Sequence, residues 1–195
     1  AQGEFGYLEK NKFGNFEYHS LLHLLDSSYR NFNDVWSIHI KDDLVVFRST
    51  KGLFLFNKQN KNIKAIPFNT TRHRSFLVND DVWIRLEGTG LLRLQNDSLI
   101  ILPGGESLQN ESLNAIFPYG DNQFLLISEK RGLVTYDGQN FTPLESPVNS
   151  LIVGQNSFGK LLDNGFYAIG TRTNGVLILD KSARLHQRMG KKQGL

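Results

Sequence analysis

The five histidines, His19, His23, His39, His73 and His186, are the first residues whose chemistry needs explaining. His19 and His23 are four residues apart, and on a helix this spacing would place two imidazoles on one face, where they could bind a transition metal. No third ligand follows at a spacing typical of a metal site, and the sequence has no HExxH motif and no cysteine. We therefore expect packed or solvated imidazoles and no metal site.

Acidic pairs and one glycine-rich segment are the next candidates for chemistry. The pairs Asp42-Asp43, Asp80-Asp81 and Asp121-Asn122 lack the dense alternating oxygen ligands of a calcium loop, and Asp and Asn are favoured in hairpin turns. The segment "LPGGES" has no Lys-Ser or Lys-Thr after it, so it is not predicted to bind phosphate. Because no nucleophile elbow or convincing carboxylate pair is present either, we expect no cofactor, no catalytic residues and no enzymatic activity.

The composition favours strands over helices. The 195 residues are 39% hydrophobic and 11% aromatic, with 18 glycines, five prolines and one methionine. The net charge of +3 comes from scattered Lys and Arg residues, so no basic stripe predicts nucleic-acid binding. No apolar run approaches the roughly 18 residues of a membrane span, and the first residues do not resemble a signal segment. The sequence is thus expected to be either cytosolic or a processed or excised piece.

A short phrase recurs four times, as "KGLFLFNK", "TGLLRLQN", "RGLVTYDG" and "NGVLILDK". Its glycines, Gly52, Gly90, Gly132 and Gly175, are separated by 38, 42 and 43 residues. Two strand-like runs precede each phrase and another follows it, which predicts four short antiparallel strands per period, with the glycine at positive φ between the second and third. Four-stranded units at this period are typical of β-propeller blades, whereas a β-sandwich has no reason to repeat a motif at a fixed long period.

We therefore predict an all-β fold, a β-propeller fragment of four-stranded antiparallel blades with about four full blades and a partial one. The runs "EFGYLEKN" and "NFEYHSL" would form the third and fourth strands of the partial blade, and Ser20 to Ser27 is the one helix-like stretch. Since a propeller closes on itself to protect its edge strands, we expect the chain to be part of a larger propeller. The predicted units are 1–31 for the partial blade, then 32–70, 71–110, 111–148 and 149–195.

Binding residues are expected on the loops of this architecture. In a propeller, the link from the fourth strand of one blade to the first strand of the next should emerge on the same face as the turn between the second and third strands of a blade. The predicted ligand-binding residues on these segments are Arg72, His73, Arg74, Glu87, Glu129, Arg131 and Arg172. Trp36 and Trp83 lie inside apolar strands, so both are expected to pack in the core rather than to stack on a sugar.

The repeats resemble those of the two-component regulator propeller family, found in sensor proteins of the Bacteroidetes. "AIGTRTNGVLILD" at 168–180 is the closest copy, and "VWIRLEGTGLLRL" at 82–94 keeps the Trp and the Gly-Leu pair. The first and third repeats depart from the pattern, with "VVFRST" and "LLISEK" where Ile-Gly-Thr would stand. "GEFGYL" and "KKQGL" near the two ends also resemble phrases of this family, the latter commonly leading into the next blade.

This resemblance implies a periplasmic, ligand-binding sensor region of a membrane-anchored signalling protein, whose membrane span and output domain would lie outside this sequence. It also implies an unknown small-molecule ligand, such as a glycan fragment, and a homodimer through the full-length receptor. Two alternatives remain open, namely a propeller scaffold that binds other proteins, and a propeller lyase or hydrolase using residues such as Glu87 or His73.

Overall fold

The computed structural model describes residues 2–155 and 157–190. Within these residues the regular secondary structure is almost entirely β-strand, as the composition predicts. The strands are β1 (Gly6–Lys10), β2 (Phe16–Ser20), β3 (Val35–Lys41), β4 (Leu44–Ser49), β5 (Gly52–Asn57), β6 (Ile63–Pro67), β7 (His73–Val78), β8 (Asp81–Leu86), β9 (Gly90–Gln95), β10 (Ser98–Ile101), β11 (Leu113–Tyr119), β12 (Gln123–Ser128), β13 (Gly132–Tyr136), β14 (Phe141–Pro143), β15 (Phe158–Leu161), β16 (Tyr167–Gly170), β17 (Val176–Leu179) and β18 (Leu185–Met189). The closing phrase "KKQGL" lies outside the described residues.

Every sheet pairs strands in the order in which they follow one another along the chain. Sheet 1 is β3-β4-β5-β6, sheet 2 is β7-β8-β9-β10, sheet 3 is β11-β12-β13-β14 and sheet 4 is β15-β16-β17-β18. Strands β1 and β2 form a two-stranded sheet, which we call the N-terminal hairpin. The predicted all-β class and the four-stranded antiparallel sheet in each repeat are therefore confirmed.

Two compact units divide the chain. The first contains residues 1–75 and 94–98, and the second contains residues 76–93 and 99–195. The N-terminal hairpin and sheet 1 belong to the first unit, sheets 3 and 4 belong to the second, and sheet 2 has residues in both.

An aromatic core holds the first unit together. Phe47 and Phe54 are cross-strand partners on one face of sheet 1, and Phe5 packs against both, with ring centroids 4.8 and 5.3 Å away. Phe32, from the segment after the hairpin, closes the same cluster at 5.1 Å from Phe54. Pairs at these separations add to the free energy gained by burying the rings, so residues 5–32 are anchored on the faces of β4 and β5.

One row of that same face is uncovered. Ile38 pairs with Phe47 and Ile40 pairs with Val45, so both isoleucines lie on the face that the hairpin covers elsewhere, yet they are 56% and 60% exposed. Trp36, at the register shift of β3, is 63% exposed. The expectation that Trp36 packs in the core is thus wrong, because nothing in the described residues covers β3 on this side.

The second unit has two apolar cores. In one, Trp83 packs against Phe124 and Tyr136, with ring centroids 4.7 and 6.0 Å away, and it is only 5% exposed, as expected. The other core lies between sheets 3 and 4, where Phe117 meets Tyr167 at 5.2 Å. The Tyr167 hydroxyl donates to the carbonyl of Pro118, so this buried phenol is satisfied.

The repeat glycines have two structural reasons to be glycine. Gly52 has φ 145° and Gly90 has φ 125°, in the region that favours glycine. A Cβ on Gly52 would also lie 2.1 Å from the carbonyl oxygen of Ile66, and one on Gly90 would lie 2.2 Å from that of Gly105. At the repeat glycine, the third strand therefore lies too close to the neighbouring backbone to leave room for a side chain. The sequence predicted the positive φ at this position but not the close approach.

The acidic pairs form turns, as predicted. Asp42, Asp80 and Asn122 all have positive φ, in tight connections between the first and second strands of their sheets. Short helical segments differ more from expectation. The helix-like stretch, Ser20 to Ser27, contains one 3₁₀ turn, Leu22–Leu24, and a second, Ser27–Tyr29, begins at its last residue. A third 3₁₀ turn, Gly105–Leu108, and the single-turn helix α1 (Asn149–Ile152) were not predicted. None of the helices among the described residues is long and apolar enough to cross a membrane.

Candidate ligand-binding site

In the first unit, three loop segments meet at one end of sheet 1. The turn between β4 and β5 is bonded to the segment before β3, because Thr50 N donates to Asp34 O at 3.1 Å and Asn33 N donates to Thr50 Oγ1 at 3.2 Å. On its other side, Phe68 N donates to Lys51 O at 2.9 Å, which fixes the link that leaves β6. Backbone bonds thus hold the second-to-third turn beside the links before and after sheet 1.

These segments enclose a cavity of about 520 Å³, which we call the loop pocket. This volume falls in the range of small-molecule sites. Its lining combines amide, hydroxyl and aromatic groups with one ammonium, a set suited to a polar ligand. The lining residues are Asn31, Phe32, Asn33, Thr50, Lys51, Phe68, Asn69, Thr70 and Thr71.

A polar cluster lies behind the pocket wall, between β3, β4 and the start of β7. Ser75 Oγ is 2.7 Å from both Ser37 Oγ and His39 Nε2. Arg48 donates from Nε to Ser37 Oγ at 3.0 Å and from Nη1 to the carbonyl of His73 at 3.1 Å. The His73 ring packs edge-on against Phe68, with centroids 4.7 Å apart, so the cluster reaches the residue that forms the pocket wall.

Burial controls the electrostatics of this cluster. It lowers the pKa of His39 and of His73 to about 4, with a further contribution from the Arg48 charge in both cases. Burial and then the charge of Arg74 lower the pKa of Arg48 to about 10. Both imidazoles are thus neutral at pH 7, and a partly buried guanidinium carries the charge.

The predicted ligand-binding residues of the first unit differ in solvent exposure. Arg72 is exposed and directly follows the pocket residue Thr71. His73 is the first residue of β7 rather than a loop residue and is 8% exposed. Neither ring nitrogen forms a well-oriented hydrogen bond among the described residues, although an interaction with the Thr50 backbone slightly raises the pKa of the ring. Arg74 is half-buried. The loop pocket thus includes the link in which Arg72 was predicted, together with Asn31, Asn33 and Lys51, which were not among the predicted residues because their polar side chains gave no periodic signal.

In the second unit, a buried carboxylate organises the turn between β12 and β13. Glu111 is 7% exposed, accepts from Ser128 Oγ at 2.7 Å, and has Arg131 Nε 3.3 Å from its other oxygen. Arg131 also donates to the carbonyl of Ser107 at 3.1 Å. The predicted ligand-binding residue Arg131 therefore has a structural role, joining this turn to the link between sheets 2 and 3.

The other predicted residues of the second unit are not brought into one cluster by the contacts found. Glu87 and Glu129 are half-buried in the turns after β8 and β12, and the backbone of Glu129 bonds to Ser112 and Gly154. Arg172 is exposed in the turn after β16, where its neighbour Thr173 donates from Oγ1 to Gln155 at 3.0 Å.

A hydroxyl opposite the repeat glycine is a feature that sequence reasoning missed. Ser49 is paired with Gly52, and its Oγ accepts from Lys51 N at 3.1 Å. Ser128 is paired with Gly132 and accepts from Arg131 N, and Thr171 accepts from Asn174 N at 2.9 Å. The hydroxyl thus satisfies turn amides that would otherwise lack a partner. Its signal, Ser or Thr three or four residues before the glycine, was present in three of four repeats.

A second cavity, of about 480 Å³, contains both histidines of the i,i+4 pair. His19 and His23 line it together with Tyr7, whose ring stacks on His19 at 5.1 Å. The Lys61 ammonium lies 5.2 Å from the Tyr7 ring. Among residues 2–155 and 157–190 no group of three or more His, Asp or Glu side chains is arranged to hold a metal ion.

Comparison with known proteins supplies a fold relationship. No protein-family model and no curated protein matches the chain. The extracellular domain of BT3049, assigned to a hybrid two-component system of B. thetaiotaomicron, matches with a TM-score of 0.66 and 12% identity over 97% of this chain and 29% of that one. The corresponding domain of BT4673 from the same organism matches with a TM-score of 0.59 and 17% identity over 97% of this chain and 30% of that one.

These likenesses show a shared fold. The chain has the fold of extracellular domains from Bacteroides two-component systems and spans less than a third of the length of either. These neighbours are extracellular domains of two-component systems, as the resemblance of the repeats to the two-component regulator propeller family predicts, and what the likeness establishes for this chain is the fold.

Proposed function

We propose that this chain is the sensor region of a two-component-type signalling protein, located outside the cytoplasm and non-catalytic. It binds a small polar ligand, such as a glycan fragment, and passes the binding event to an output domain outside this chain. The observation that carries the proposal is the fold shared over 97% of the chain with the extracellular domain of a hybrid two-component system. The loop pocket supports it, because its volume and its amide and hydroxyl lining suit such a ligand.

Thermal unfolding of the chain with a panel of oligosaccharides, peptides and small polar metabolites tests the ligand-binding part. A compound that binds the folded state raises the melting temperature, and at a hundredfold excess over Kd it adds about 2.7 kcal/mol. The pocket variants Asn33→Ala and Asn69→Ala should lose this shift, because each removes an amide from the lining. The control Gln187→Ala changes an exposed residue of β18 and should retain it.

A protein-binding scaffold is the second candidate, favoured by the exposed apolar row Trp36, Ile38 and Ile40. Capture of a stable protein partner that Ile38→Asp abolishes, with no compound of the panel raising the melting temperature, would favour this candidate over the sensor. Dimerisation through the full-length receptor is compatible with either function and would be measured by light scattering of the full-length protein with and without ligand.

A further inference from the structure

The loop pocket has a charge of one sign. Lys51 is the only ionisable side chain among its described lining residues, and the others are amides, hydroxyls and two phenylalanine rings. Two further charged residues flank the lining without belonging to it, since the exposed Arg72 follows Thr71 and the exposed Asp34 follows Asn33. The described lining itself therefore offers one ammonium-bearing side chain and several hydrogen-bonding groups, and no carboxylate.

A second positive charge lies behind the wall. Arg48 is half-buried and directs its guanidinium to Ser37 Oγ and to the carbonyl of His73, which are both neutral groups. The one charge found to act on it is that of Arg74, which is of the same sign. Buried charges are normally paired, because removing an ion from water costs several kcal/mol. Here no described carboxylate forms an ion pair with Arg48.

Arg48 is linked to the pocket lining through its neighbours in the chain and through His73. Thr50, which lines the pocket, is two residues from Arg48 along the chain. The carbonyl of His73 binds Arg48, and its ring contacts Phe68, another lining residue. Since both imidazoles of the cluster are neutral at pH 7 and no described carboxylate forms an ion pair with Arg48, its charge adds to the positive potential near the lining.

We propose that the loop pocket binds an anionic ligand, one bearing a carboxylate or sulfate group, with the anion against Lys51 and its remaining polar groups on the amides and hydroxyls of the lining. This inference rests on the proposed function, since it gives the chemical class of the ligand for the same pocket. Lys51 is the residue that distinguishes an anionic from a neutral ligand, and Arg48 supplies background potential through the wall.

Two sugars that differ in one carboxylate, D-glucuronate and D-glucose, provide a matched test. Binding to the chain is followed by the amide NMR shifts of Thr50, Lys51, Thr70 and Thr71. Glucuronate should bind roughly tenfold more tightly than glucose, because a hydrogen bond between charged groups is stronger by about that factor. Inorganic sulfate should compete with glucuronate, and raising the ionic strength should weaken glucuronate binding more than glucose binding.

Matched variants assign the effect to the pocket. Lys51→Gln should weaken glucuronate binding roughly tenfold and change glucose binding less than about twofold. Lys12→Gln makes the same charge change at a lysine outside the lining and should alter neither. Equal affinity for the two sugars, or equal loss of both in Lys51→Gln, overturns the anionic class while leaving the sensor proposal standing. If neither glucuronate nor sulfate shifts the amide signals of the pocket, the anionic class of ligand is also overturned. The thermal-unfolding panel then decides the sensor proposal.

Discussion

The burial of His73 makes a quantitative prediction about acid stability. Its pKa of about 4 in the folded chain lies well below the ordinary value of 6.5, because burial and then the Arg48 charge disfavour the imidazolium and outweigh the interaction with the Thr50 backbone. Above about pH 7.5 the ring is neutral in both states, so its titration does not affect stability. As the pH falls from 6.5 toward 4, the unfolded chain binds a proton that the folded chain does not, and stability is lost. Between about pH 7.5 and about pH 4.5 this loss is about 2.5 kcal/mol.

The variant His73→Phe isolates this contribution. Phenylalanine keeps the ring contact with Phe68 and removes two ring nitrogens that form no well-oriented hydrogen bond, at the cost of a weak interaction with the Thr50 backbone, so the variant should be more stable than the wild type by about 1 kcal/mol even at neutral pH. Its advantage should then grow by about 2.5 kcal/mol toward about pH 4.5, because carboxylate titrations are common to both proteins and cancel.

Urea unfolding followed by far-ultraviolet circular dichroism at a series of pH values measures both quantities. Parallel stability curves for the wild type and His73→Phe across this pH range would refute the reasoning, since they would mean that the folded state accepts the proton as easily as the unfolded chain. A lower stability of His73→Phe at neutral pH would show that the imidazole has a partner that compensates its burial.

Three further predictions concern other features of the fold. Gly90→Ala should destabilise the chain by several kcal/mol, because a Cβ would lie 2.2 Å from the Gly105 carbonyl; Gly88→Ala, with positive φ but open space, should cost only about 1 to 2 kcal/mol by thermal unfolding. Arg131→Met should cost about 3 kcal/mol, because it leaves the buried Glu111 carboxylate without its cation, and adding Glu111→Leu should recover most of that loss; failure to recover it would contradict a role for the ion pair. Trp36→Ser should change the free energy of unfolding by less than about 0.5 kcal/mol, whereas Trp83→Ala should cost about 3 to 5 kcal/mol, and similar effects at both positions would contradict the difference in burial.

The strands could be predicted from the sequence because each repeat carries its own local signals. The run "LVVFRST" became β4 and "NIKAIPF" became β6, each bounded by turn residues that fix its ends within a residue or two. Helix α1 could not be predicted, since four residues without a side-chain cap have no periodicity to detect.

Burial was harder to predict than secondary structure. Trp36 and Trp83 stand in similar apolar runs, yet Trp36 is exposed and Trp83 is buried. The difference depends on which residues pack against each strand face, and the runs themselves carry no sign of it. His73 follows a polar link in the sequence, but its ring is enclosed by Phe68 and the Arg48 cluster, which lie 5 and 25 residues away in the chain. The loop pocket likewise depends on three segments that backbone bonds bring together, and no single segment carries its pattern.

The strand order has a consequence for how the chain folds. Each strand pairs with its immediate successor within a sheet, so pairing never requires a distant segment to arrive first. Such local connectivity reduces the loop-closure entropy of the transition state and favours rapid assembly one hairpin at a time. A substitution that weakens the pairing inside one sheet should therefore raise the hydrogen-exchange rate of that sheet first, while the protection of the others declines later.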